Sequence, residues 1–154
     1  MSFALVAFGV GFVSGLRTLT AFTVASWAAR LGRLSLGRSW MAFLGYVATP
    51  WIMSVAAVGE LVNDKLPKTP SRKTPLQFAA RILFGSATGA VVGIPNGMIA
   101  LGLVLGALGA IAGTLIGASA RARLANAAGG KDLPIALMED ATAIGLALLL
   151  LFAL

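Results

Sequence analysis

The chain has 154 residues, of which 58% are hydrophobic and 11% charged, and its mean hydropathy is +0.93. A soluble domain carries about 25% charged residues, so this chain has too few polar side chains to cover a water-exposed surface, and a soluble helical bundle is excluded. The formal net charge of +7 does not imply a nucleic-acid partner, because the basic residues sit at helix ends and in loops, where membrane proteins hold them against anionic lipid. Cysteine and histidine are both absent. That removes disulfides, thiolate metal sites and imidazole-based acid–base chemistry, and no metal or cofactor is expected.

The composition and the apolar runs predict an all-α fold, a polytopic transmembrane helical bundle with about four or five membrane segments in a single domain, residues 1–154. The first segment, residues 3–29, is interrupted by Ser14, Gly15, Leu16, Arg17 and Thr18. It reads as a retained span rather than a cleaved signal, because no positive residue precedes the apolar run. It is either one tilted helix or two half-helices broken at Ser14 and Gly15, and a broken segment can be re-entrant. A basic loop, 30–39, follows with Arg30, Arg33 and Arg38. The second segment is 40–62, with Pro50 expected to kink its middle and Trp40 able to anchor an interface.

Residues 63–75, NDKLPKTPSRKTP, form the one long polar stretch, and Pro67, Pro70 and Pro75 predict a stiff, extended loop. Thr74 and Pro75 suit the start of the third segment, 76–94, with Arg81 near its beginning. Pro95, Asn96 and Gly97 predict a tight turn into the fourth segment, 98–119, so that the two pair as an antiparallel hairpin. Residues 121–131 read as a second basic loop. Pro134 suits the first turn of the last segment, 135–154, whose early Glu139 and Asp140 match the positive end of the helix dipole.

With five single crossings, the 30–39 loop and the Pro95 turn share one side, and the 63–75 and 121–134 loops share the other. The second side carries the larger number of basic residues, so the positive-inside rule places it, and the N-terminus with it, in the cytoplasm. A broken first segment would change this parity.

Gly102, Gly106, Gly109, Gly113 and Gly117 draw one stripe at helical spacing, and Gly85, Gly89 and Gly93 draw a second on the neighbouring helix. Such stripes let membrane helices approach closely, within the hairpin or in a dimer; a narrow path with exposed backbone is the sharper alternative. Arg17 lies 14 residues beyond Phe3, about 21 Å along a helix, and an arginine at mid-depth costs at least about 2.5–3.5 kcal/mol. It must pair with an acid, cap carbonyls or face water. With Ser14, Thr18 and Thr20 it forms a candidate substrate or ion path, since broken helices often build transporter sites. Glu60, Asp64, Lys65, Arg72, Arg81, Glu139 and Asp140 lie at helix ends or in the loop on one side and form a candidate interfacial charge cluster. It could gate a path, carry protons or simply pin the loop. No phosphate-binding loop occurs, and Ser14 in SGLR is not a nucleophile elbow, so a catalytic site is not expected.

Four pieces, GVGFVSGLRTLTAF (9–22), GELVNDKLPKTPSRKTP (59–75), the Arg81 helix with FGSATGA, and ALMEDATAIG (136–145), together resemble a family of small bacterial membrane proteins known only as a domain of unknown function. Arg17, Glu60, Asp64, Lys65, Pro67, Thr69, Pro70, Arg72, Arg81, Glu139 and Asp140 match its recurring positions. The resemblance implies a multi-pass protein of the bacterial cytoplasmic membrane and supplies no activity. The leading expectation is a transporter or small channel for an ion, a small anionic solute or a lipid, working as a homodimer among membrane lipids. The alternatives are a structural or accessory membrane protein and a lipid-modifying enzyme.

Overall fold

The computed structural model describes residues 1–67 and 71–153; Lys68, Thr69 and Pro70 of the expected stiff loop, and Leu154, lie outside the described residues. The fold is all-α: α1 (Phe3–Leu16), α2 (Thr20–Arg30), α3 (Thr49–Asn63), α4 (Pro75–Gly93), α5 (Ile99–Ala127) and α6 (Asp132–Phe152), with short 3-10 turns at Ala42–Gly45 and Ile94–Asn96. Among the described residues, three helices are long and apolar enough to cross a membrane: α4 with its 3-10 extension (22 residues), α5 (29 residues) and α6 (21 residues). α1 is a shorter apolar helix.

α5 is the central post. Its glycines are divided between two partners. A Cβ on Gly102 would overlap the carbonyl oxygen of Gly89, and one on Gly106 that of Gly85, so the first part of the stripe receives α4. A Cβ on Gly109 would overlap the carbonyl oxygen of Phe8, and one on Gly113 that of Phe12, so the later part receives α1. Both glycine stripes are therefore consumed inside one chain. The pairings also set direction: α1 runs parallel to α5, and α4 antiparallel.

The first apolar segment is broken, as one of its two readings required. The break falls at residues 17–19, just beyond Ser14 and Gly15, which remain inside α1. Gly15 serves packing instead, because a Cβ there would overlap the α5 backbone at Ala110. α2 then turns back. Phe3, Leu34, Val92 and Pro95 line one common cavity, so the start of α1, the loop after α2 and the α4–α5 turn share an end of the bundle. This corrects the five-crossing parity: the N-terminus lies with the 30–39 loop, at the end opposite residues 63–75. Leu34, Leu36, Met41 and Leu44 are buried and plug that end.

The 40–62 segment is not one helix. Residues 40–48 form turns, and α3 starts at Thr49 with Pro50 in its first turn. Proline is pre-organised at that position, where its missing N–H would be unpaired anyway, so Pro50 starts a helix rather than kinking one. α2 holds α3 through Thr23 Oγ1 donating to Met53 O (3.1 Å), Trp27 Nε1 donating to Ser54 Oγ (3.0 Å) and an edge-to-face Trp27–Trp51 pair.

The fourth segment also exceeds its expected end. α5 continues two turns past Ser119, so Arg121 and Arg123 lie on helix rather than in a loop. Ala, Arg and Leu sustain helix there, and the stop comes only near Gly129 and Gly130, both at positive φ. α6 begins at Asp132, three residues earlier than expected. The helix-dipole rationale therefore belongs to Asp132, and Glu139 and Asp140 lie beyond the first turn.

Candidate functional site

A helix that stops inside a bundle leaves carbonyls bare at its C-terminus and amides bare at the next N-terminus. At residues 17–19 both sets are met by distant side chains. Arg81 Nη1 donates to Gly15 O and Leu16 O, each at 2.8 Å, and Thr114 Oγ1 donates to Ala110 O at 2.8 Å and to Gly15 O at 3.3 Å. On the other flank the Glu60 carboxylate accepts from Thr18 N (2.7 Å) and Leu19 N (2.8 Å), the amides leading into α2. A cation thus caps the negative end of α1 and an anion the positive end of α2, the signs the helix dipoles favour.

Arg17 sits in the gap and is 0% exposed. Its guanidinium forms ion pairs with Asp64 (2.6 Å) and Asp140 (2.6 Å), with Glu139 at 3.5 Å. The contacts spread outward from there. Lys65 pairs with Asp140; Arg72 holds Glu139 through both terminal nitrogens; Arg121 pairs with Asp64 (2.6 Å) and with Asp132 (2.6 Å). All five acids of the chain are bound in this belt, Glu60 by amides and the other four by cations. Five cations, Arg17, Lys65, Arg72, Arg81 and Arg121, stand against them. A buried charge is tolerated only when paired, and the belt meets that condition by near-neutrality.

Every member of the expected interfacial cluster, Glu60, Asp64, Lys65, Arg72, Arg81, Glu139 and Asp140, is brought together. Arg17, expected on a separate path, joins them as the centre. Ser14, Thr18 and Thr20, expected on a path with Arg17, are buried around the break, and the Ser14 hydroxyl finds no partner among the described residues. Two members of the belt were missed, Arg121 and Asp132, because 121–131 read as loop. The signal was present: Arg121 follows Gly117 by four residues and so continues the glycine stripe.

Asp64, just beyond α3, is pushed up by burial, but the hydrogen bonds and charges of Arg121 and Arg17 outweigh this and hold its carboxyl at about 2. It is ionised at any ordinary pH, so the Arg17 and Arg121 pairs are permanent charges rather than titrating ones.

A family model described as a domain of unknown function (DUF4126) matches residues 4–153. No curated protein and no solved structure matches the chain.

Proposed function

The chain belongs to the DUF4126 family, and we propose that it is a transporter or small channel for an ion or small anionic solute, held closed here by the charge belt. The observation that carries this reading is Glu60. A pair of backbone amides at the start of a helix, inside the bundle, already binds an anion, and that anion is a side chain of the same protein. A solute carboxylate or inorganic anion entering the break would take the place of Glu60. Arg17 Nε and Arg81 Nε, buried beside the break without an acceptor among the described residues, offer further donors to such an anion. Broken helices that present a terminus to a solute are a recurrent transporter device.

In the membrane, α3 to α6 would cross and the α1–α2 pair would enter and return from one side. If the hydrocarbon core begins near Ile99, the level of Thr114 and the break lies about 22 Å into a core about 30 Å thick. The belt then sits toward one interface rather than at mid-depth. Lys65, Arg72, Lys73, Arg121, Arg123 and Lys131 gather at the belt end against Arg30, Arg33 and Arg38 at the other, so the belt end faces the cytoplasm of a bacterial inner membrane and both termini face out. So few crossing helices enclose little space, which favours a homodimer. Its contact would use lipid-facing side chains such as those of α3, since the glycines are taken.

A second reading, a structural or accessory membrane protein, is favoured by the complete burial of Arg17. The lipid-modifying reading gains nothing from the belt, because each carboxylate there is already bound by a cation or by amides.

Proteoliposomes made with the purified chain test the leading reading. The parent should carry a saturable flux of a small anion such as chloride or acetate, and Arg17→Ala should lower it at least tenfold. Unchanged flux in a folded Arg17→Ala variant removes Arg17 from the mechanism, and a folded parent that passes no ion favours the structural reading.

A further inference from the structure

Between α5 and α6 lies an open groove of about 260 Å³, floored by α1. Phe12 and Leu16 form the floor, Ile116 and Leu124 one wall, and Ile135 and Met138 the other. Arg121 and Glu139 bring charge to its lining. Arg121 also lines a second cavity, of about 330 Å³, with Ser71, Arg72, Asp64 and Asp132. An apolar chamber and a polar one thus adjoin at a single arginine, where the belt meets the surface.

We propose that this pair of chambers is a binding site for one anionic phospholipid, with an acyl chain along the α5–α6 groove and the phosphate in the polar chamber near Arg72 and Arg121. An apolar groove on a membrane-length helix faces hydrocarbon, and an acyl chain fills it without desolvation cost. The choice of an anionic headgroup rests on charge. All five acids are already bound within the belt, so Lys73, Arg123 and Lys131, at the same end, have no acid left to neutralise them. Lys131 directly precedes Asp132, a wall of the polar chamber. Basic residues at the interface attract anionic lipid. Asp132, its side chain 54% exposed, stands at the rim and disfavours a second negative group, which fits a headgroup of one net charge such as phosphatidylglycerol.

The test is native mass spectrometry of the delipidated full-length chain after incubation with phosphatidylglycerol or phosphatidylcholine. One phosphatidylglycerol per chain should be retained, at least tenfold more readily than phosphatidylcholine. Two independent groove-filling variants, Ala120→Phe and Thr142→Phe, replace small side chains on opposite walls and should each reduce retention at least tenfold while the helical circular dichroism stays at the parent value. Retention of phosphatidylcholine equal to phosphatidylglycerol overturns the anionic assignment. No retained lipid on the parent, or full retention by a folded filler variant, overturns the site.

Discussion

Replacing Arg17 with methionine should destabilise the protein by about 3 kcal/mol or more, read as a loss of thermal stability in detergent. Removing one partner of a buried ion pair typically costs about 3–5 kcal/mol, because the remaining charge keeps its desolvation penalty and loses its compensation. Arg17 is shared by Asp64 and Asp140. After its removal Asp64 keeps Arg121 and Asp140 keeps Lys65, which places the expected cost toward the low end of that range. Arg17→Lys should recover only part of it, since one ammonium cannot span two carboxylates as a planar guanidinium does. The double variant Arg17→Met with Asp140→Asn should be less destabilised than Arg17→Met alone, because it removes a charge from each side. A folded Arg17→Met protein with parental stability would show that the pairs contribute nothing.

The second large effect is steric and is expected at Gly106. This residue is met by α1 and α4 together: a Cβ on Gly11 would overlap Gly106 O, and a Cβ on Gly106 would overlap Gly85 O and stand 3.1 Å from the Cα of Gly89. The obstructing atoms are backbone, so no side chain can swing aside. Gly106→Leu should force the three helices apart and prevent recovery of folded protein, and Gly106→Ala should cost about 1–3 kcal/mol as overpacking does. Gly59 and Gly145 are the internal controls. Both lie within helices and meet nothing within 4 Å among the described residues, so alanine there should be neutral or stabilise by up to about 1 kcal/mol through helix propensity. Recovery of folded Gly106→Leu and thermal melts of the three alanine variants check this, and a Gly106→Ala protein as stable as Gly145→Ala would refute the close packing of these backbones.

The contrast between these glycines also marks what a sequence can disclose. The stripe from Gly102 to Gly117 was legible because small residues at helical spacing imply close approach. That it is split between two partners was not, since the spacing is the same whichever helix arrives. The gathering of Glu60, Asp64, Lys65, Arg72, Arg81, Glu139 and Asp140 was legible from their shared end of the bundle. The position of the helix break was not: Ser14 and Gly15 looked like the weak point, whereas the break follows from caps supplied by Glu60 and Arg81, more than forty residues away in the chain. Pro50 misled for a related reason. A proline marks either a kink or a first turn, and only the tertiary fold of residues 40–48 decides which.

α1 and α2 form a returning pair, so that the N-terminus lies at the end of the molecule opposite the charge belt. The chain contains no cysteine, so single cysteines can be placed without background. Ser2→Cys, Ser35→Cys, Lys73→Cys and Lys131→Cys, all at exposed positions, in sealed vesicles of known orientation, treated with a membrane-impermeant maleimide, test this directly. Cys at positions 2 and 35 should label from one side, and Cys at 73 and 131 only from the other. Labelling of position 2 together with 73 and 131 would mean that the first segment crosses completely, and the account would be wrong.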